Sequence, residues 1–364
     1  MIKLHLKYCL LTFFLLFFIT QYAQKESQPF GVKKTFHYGF IAPHRSVVNE
    51  IIEGHTKAYE LSFFKQTSSN KQWQQLYNYP KLGFSFIYLD LANPQQLGSS
   101  FGFFPYLSFL IVDKKIDWEM KFGYGIGYIE KPFDKTTNYK NLAIGSSFNA
   151  LININSQLKL RLTEGINTSL GFSILHFSNG SFKRPNLGIN ILSFNLGLAY
   201  CFGKTQEQIQ NEIIERKRKW VKDLYVGVGV KEIAPIEGPK YFVSSYSFNM
   251  MKIRSNKSAF GVGADLFYNS SLTHLVDLDT TKRQSNVDNF RGGVTFIYSL
   301  DFGKFSTLFQ MGGYVFAKEK SSGSVYHRIQ TRYAINNQLF FNLGLKTHYV
   351  VADFVELGIG YRFQ

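Results

Sequence analysis

No stretch beyond residue 23 holds 18 continuous apolar residues, so a membrane-crossing helix, which needs about 20, is not expected. Cysteine is almost absent: Cys9 lies in the N-terminal apolar run, leaving Cys201 alone in the body of the chain. An internal disulfide framework is therefore excluded there. The 8 histidines do not combine with Cys or Glu at metal-ligand spacing, and no metal or other cofactor is expected. Acidic residues are scarce as well, 25 against 41 Lys and Arg, for a formal charge of +16. Such an excess points to a polyanionic partner. No RNA- or DNA-binding motif stands out, so for an exported chain a phosphorylated lipid or lipopolysaccharide fits better than nucleic acid. Gly123-Tyr124-Gly125-Ile126-Gly127 lies inside an alternating strand pattern, which excludes a phosphate-binding loop.

The first 23 residues read as an export leader. Lys3 and Lys7 precede an apolar run from Tyr8 to Ile19, and Ala23 offers a small residue for cleavage.

The rest of the chain is dominated by alternation. Trp118, Met120, Phe122, Tyr124, Ile126 and Tyr128 interleave with Glu119, Lys121, Gly123, Gly125 and Gly127. Val355, Leu357, Ile359, Tyr361 and Phe363 interleave with Glu356, Gly358, Gly360 and Arg362. Bulky apolar residues opposite glycine and charge are the pattern of a transmembrane β-barrel, lipid outside and a polar lumen inside. Open sheet edges are not tolerated in lipid, so the sheet must close. The expected fold class is an all-β, antiparallel outer-membrane barrel of about 14–16 strands. Starts are expected near residues 35, 57, 81, 98, 116, 141, 168, 186, 222, 240, 257, 288, 304, 325, 338 and 352. A single larger barrel is the preferred closure, two adjacent eight-strand barrels the alternative. The division is a leader (1–23), a first half of about eight strands (24–202), a periplasmic polar helix or linker (203–221) and C-terminal strands (222–364). Ile209, Ile213 and Trp220 mark the apolar side of the expected short helix. Residues 113–115 and 303–304 then become periplasmic turns, and 270–287 and 318–324 external loops.

Chemistry concentrates in Leu175-His176-Phe177-Ser178-Asn179-Gly180 and Pro185-Asn186-Leu187-Gly188-Ile189-Asn190. Strand side chains alternate between faces, so His176 and Ser178 extend the row Leu170, Phe172, Ile174. Asn190 likewise tops the row Leu192, Phe194, Leu196. If the two segments form a hairpin around Lys183, Asn190 sits opposite His176, and three polar groups gather at the outer end of a lipid-facing surface. A serine beside a histidine on one face is the arrangement of a nucleophile and its base. Gly180 leaves room for its backbone N–H to approach an oxyanion. Lys183 and Arg184 stand where a lipid phosphate would lie. His44, His55 and His348 are expected in loops or the lumen.

The stretch His176-Phe177-Ser178-Asn179-Gly180 resembles the active-site motif of outer-membrane lipid A 3-O-deacylases, the PagL-like group, whose relatives in Bacteroidetes-type bacteria are often called acyloxyacyl hydrolases. The resemblance covers roughly residues 36–202, with the motif on the seventh and eighth strands. It implies an outer-membrane serine esterase acting on lipid A in the outer leaflet. By the same resemblance Ser178 is the nucleophile, His176 the base and Asn179 an oxyanion donor. The family's third member is typically a Glu on the next strand; here Asn190 occupies that position. Glu53 or Glu60 could approach instead, whereas Glu164 lies near the opposite end of the strands. The alternative function is a non-enzymatic barrel (a porin, transporter or scaffold) with a degenerate site, prompted by Asn190 and the large C-terminal half.

Overall fold

The computed structural model describes residues 30–68, 71–203, 208, 210–273, 286–318, 322–349 and 351–363. The leader assigned to 1–23 lies outside them, as do parts of the 203–221, 270–287 and 318–324 segments.

Sixteen strands make up the described chain. They are β1 (Phe30–Ile41), β2 (Thr56–Gln66), β3 (Lys81–Asp90), β4 (Ser99–Val112), β5 (Ile116–Ile129), β6 (Phe148–Arg161), β7 (Ile166–Ser178) and β8 (Ile189–Phe202), then β9 (Trp220–Glu232), β10 (Lys240–Ile253), β11 (Ser258–Asn269), β12 (Phe290–Phe302), β13 (Phe305–Ala317), β14 (Val325–Ala334), β15 (Leu339–His348) and β16 (Val351–Phe363). The expected starts fall close to these except at β1, which begins earlier, and β6, which begins later. Before β6, Asn141 pins a loop rather than opening a strand. Its Nδ2 donates to Lys131 O at 2.7 Å and its Oδ1 accepts from Ala143 N at 3.2 Å.

The expectation of one large barrel is corrected. β8 returns to β1, with Phe30 opposite Phe202 and Ile41 opposite Ile191, and β16 returns to β9, with Leu357 opposite Val228. Each set of eight closes on itself. The reason lies in the lumens. An eight-strand barrel is just wide enough for side chains to fill, and here they reach across. Lys121 on β5 meets Glu60 on β2 at 2.5 Å, and His37 on β1 lies 3.2 Å from the same carboxylate. In the second barrel Arg328 on β14 bridges Asp265 on β11 at 2.9 Å and Glu356 on β16 at 2.6 Å. A 16-strand barrel would carry these partners too far apart, leaving charges unpaired.

Lumen-facing residues are not polar throughout. At one end of the first barrel Ile87, Leu89, Ile129, Leu151, Leu175, Phe177 and Ile191 form a buried apolar plug with Val48, Ile51, Leu97 and Ile144 from the connecting segments. This end carries the segments 42–55, 91–98, 130–147 and 179–188, whereas 113–115 and 162–165 turn tightly at the other. That asymmetry matches an external and a periplasmic side, although the 67–80 connection, with its helical turn Gln72–Leu76, is long for its side. Outward rows such as Phe36, Tyr38 and Phe40 are exposed, as a lipid-facing wall requires.

No helix forms over 210–219. That stretch instead bonds to loops of both barrels: Gln75 Nε2 donates to Asn211 O at 2.9 Å, and Asn256 Nδ2 to Ile214 O at 3.0 Å. Those external bonds replace the intrahelical ones that the Ile213 and Trp220 spacing anticipates; Ile209 lies outside the described residues. The barrels touch at this end through Tyr77 and Phe302, whose ring centroids are 4.7 Å apart.

Candidate functional site

Two inward side chains fix the site strand. Leu175 and Phe177 are fully buried in the apolar plug, and Gly127 clears space for the ring. A Cβ at 127 would stand 2.4 Å from Phe177 Cε1. With Phe177 held inside, the pleat turns His176 and Ser178 outward. The β7–β8 register places His176 opposite Asn190 and Phe177 opposite Ile189, as the hairpin reading expected.

His176 Nδ1 lies 2.6 Å from Asn190 Oδ1. The Nδ2 of that amide lies 3.1 Å from His44 Nδ1 in the 42–55 segment. Among the described residues no carboxylate is bonded to His176. Glu60 is in the lumen with His37, Lys121, Ser62 and Ser85, and Glu53 is exposed in its loop.

Ser178 ends β7. Among the described residues its Oγ is not hydrogen-bonded to His176; such bonds are often long before substrate arrives. Two donors converge on it instead: Gly180 N–H at 3.3 Å and Asn186 Nδ2 at 3.0 Å. The Asn186 amide is turned this way because its Oδ1 accepts from Asn179 N–H at 3.0 Å; Ser178 Oγ also lies 3.3 Å from that oxygen. Asn179 has a different position from the one its resemblance suggests. Its Nδ2 donates to Ser146 Oγ and to Lys183 O, both at 2.8 Å, so both amide hydrogens are engaged away from Ser178. Asn186 has no role in the sequence pattern, and His44 reads there as one of the loop or lumen histidines. Neither carries a local signal, since each arrives from another segment or around a turn.

Gly180 adopts φ +63°, the left-handed region where glycine alone is free of Cβ strain. It also packs against the second barrel. Ser181 Oγ donates to Ala352 O at 2.7 Å, Glu232 N donates to Ser181 O at 2.9 Å, and the Lys240 ammonium sits over the Phe182 ring and bonds Phe182 O. The segment that carries the Gly180 donor is thus held from both sides, by 130–147 through Ser146 and by the second barrel through Ser181 and Phe182. Lys183 is half-buried and Arg184 exposed, and among the described residues no ion pair takes up either cation. A hydroxyl with two convergent donors, beside an imidazole with an oriented partner, is a set that can carry out acyl transfer. No group of three His, Cys, Asp or Glu among the described residues could hold a metal.

The fold and this site define a class: an outer-membrane β-barrel bearing a hydroxyl–imidazole pair at the rim of its lipid-facing wall. Residues 57–199 match the family described as lipid A 3-O-deacylase (PagL), and residues 220–364 match acyloxyacyl hydrolase, C-terminal domain. The first match spans β2 to β8 with the site, and the second takes in the whole second barrel. The chain belongs to this PagL-like family of outer-membrane proteins. No curated protein matches the chain. Similar solved structures include the outer membrane enzyme PagL, at 21% identity over 45% of this chain and 97% of that one with a TM-score of 0.35. Neisserial surface protein A shows 8% identity over 48% and 97%, TM-score 0.33. A triple mutant of Rhodopseudomonas blastica porin shows 8% identity over 92% and 99%, TM-score 0.19. These likenesses are too low to bear on the site.

Proposed function

We propose that the protein is a serine esterase that removes a 3-O-linked acyl chain from lipid A in the outer leaflet. The observation that carries this reading is the convergence of Gly180 N–H and Asn186 Nδ2 on Ser178 Oγ, on the same outward face as the His176–Asn190 pair. Ser178 Oγ attacks the ester carbonyl while His176 Nε2 takes its proton. The carbonyl oxygen becomes the oxyanion and is held by Gly180 N–H and Asn186 Nδ2. Collapse breaks the bond to the sugar oxygen, which leaves with the proton from His176. Water, deprotonated by His176, then releases the fatty acid from the acyl-Ser178 ester.

Asn190 fixes the imidazole by accepting from Nδ1–H, without the negative charge that would stabilise an imidazolium. In a serine triad an amide in the acid's place costs about 10⁴ in kcat where it leaves the imidazole in the wrong tautomer; with its oxygen toward His176, Asn190 avoids that cost and forgoes only the charge, as in Cys-His-Asn sites that function. Slow turnover is therefore expected. The acyl chain lies along Leu170, Phe172 and Ile174, exchanging lipid contacts for protein ones, with Lys183 and Arg184 at phosphate height. Mass spectrometry of lipid A from cells making wild type or Ser178→Ala tests the reading: loss of an acyl chain only with wild type supports it, and identical acylation sinks it. The amide at 190 also favours a second reading, a barrel without enzymatic activity. The lipid A comparison separates the two, and liposome swelling checks the pore form of the second: a lumen crowded with ion pairs should pass no solute, and swelling without deacylation would favour a channel.

A further inference from the structure

An amide differs from a carboxylate in having two unlike ends. Asn190 can meet His176 with its oxygen or with its NH2 group. With oxygen facing, Nδ1 of the imidazole carries the proton and Nε2 keeps a lone pair able to accept from Ser178. With nitrogen facing, Nδ1 must accept, the proton resides on Nε2, and the base is lost. A glutamate at this position would need no such choice, because either oxygen accepts. Asparagine therefore works only if something else tells its ends apart.

We propose that His44 is the positioning residue that does so, by accepting Asn190 Nδ2–H at its Nδ1 and thereby holding Oδ1 toward His176; this rests on the esterase reading. The 3.1 Å contact to His44 and the 2.6 Å contact to His176 lie at opposite ends of one amide. His44 is carried there by the backbone. β1 pairs with β8 as far as Ile41 opposite Ile191, and Ala42 N then donates to Asn190 O at 2.8 Å. The ladder thus continues onto residue 190 itself, and His44 follows two residues later. The side chain is exposed, so water competes for the amide. The bias is that of one net hydrogen bond, about 3- to 10-fold between the two orientations.

The test uses full-length protein in detergent and a soluble uncharged ester. His44→Ala should leave the two orientations about equally populated and lower kcat by up to about 2-fold with KM unchanged. His44→Lys, which can only donate, should turn the amide round and lower kcat about 3- to 10-fold. In an Asn190→Glu background, His44→Ala should have no effect, because a carboxylate has no wrong end. Equal losses in both backgrounds would overturn the proposal, showing that His44 acts through packing or substrate. So would an unchanged kcat in the wild-type background. Nitrogen-15 imidazole spectra give a readout independent of turnover: His176 should carry its proton on Nδ1 in wild type and shift toward Nε2 in His44→Lys. An unchanged tautomer would refute the assignment. The esterase reading fails separately, if Ser178→Ala retains full activity.

Discussion

Gly180→Ala tests the site and the two-barrel arrangement at once. The new Cβ would stand 2.3 Å from Val355 Cγ2 on β16, where carbon atoms normally rest about 3.5–4.0 Å apart. The segment or the strand must therefore give by on the order of 1 Å. The φ of +63° adds roughly 1–2 kcal/mol of backbone strain for alanine. Both effects displace the N–H that now points at Ser178 Oγ from 3.3 Å. Losing one oxyanion donor costs about 10²–10³ in kcat, so a fall of about 10²-fold is expected, with little change in KM. Val355→Ala should relieve part of this, because the next nearest atoms, Val355 Cβ at 3.5 Å and Leu345 Cδ1 at 3.8 Å, are in ordinary contact. Only the backbone strain then remains. Kinetics on purified full-length protein would measure the effect, with heat-dependent gel mobility verifying that the barrels are folded. Wild-type kcat in Gly180→Ala would refute the oxyanion role of the Gly180 N–H. Absence of any relief by Val355→Ala would refute the contact with the second barrel.

Other perturbations separate binding, folding and catalysis. Lys183→Glu with Arg184→Glu should weaken action on phosphorylated lipid A far more than on a short uncharged ester; equal loss on both would mean that the hairpin itself was disrupted. Glu60→Gln leaves Lys121 buried without its counter-charge and should destabilise the first barrel by about 3–5 kcal/mol, read as a lower unfolding midpoint, while kcat of the folded fraction is unchanged. Phe177→Ala empties the plug behind the site and should cost about 3–5 kcal/mol, also seen in the unfolding midpoint. Asn190→Glu restores the charge opposite His176 and should raise kcat; a fall would mean that the surrounding loops are built for an amide.

Local alternation was enough to place the strands and the site's face. A period of two sorts residues between lipid and lumen whatever the closure, so the outward parity of His176, Ser178 and Asn190 was legible in the sequence. So was their pairing across one hairpin, because consecutive strands are neighbours. The closure itself was not legible. Sixteen alternating strands read the same in one ring or two, and the choice was made by side chains meeting across a narrow lumen, Lys121 with Glu60 and Arg328 with Asp265 and Glu356. The site's finer parts were hidden for a related reason. His44 comes from the far side of the β8–β1 closure, Ser146 from the segment before β6, and Val355 from the other barrel. Each lies far along the chain from the residue it touches, and no local pattern records a contact that exists only once the sheet has closed.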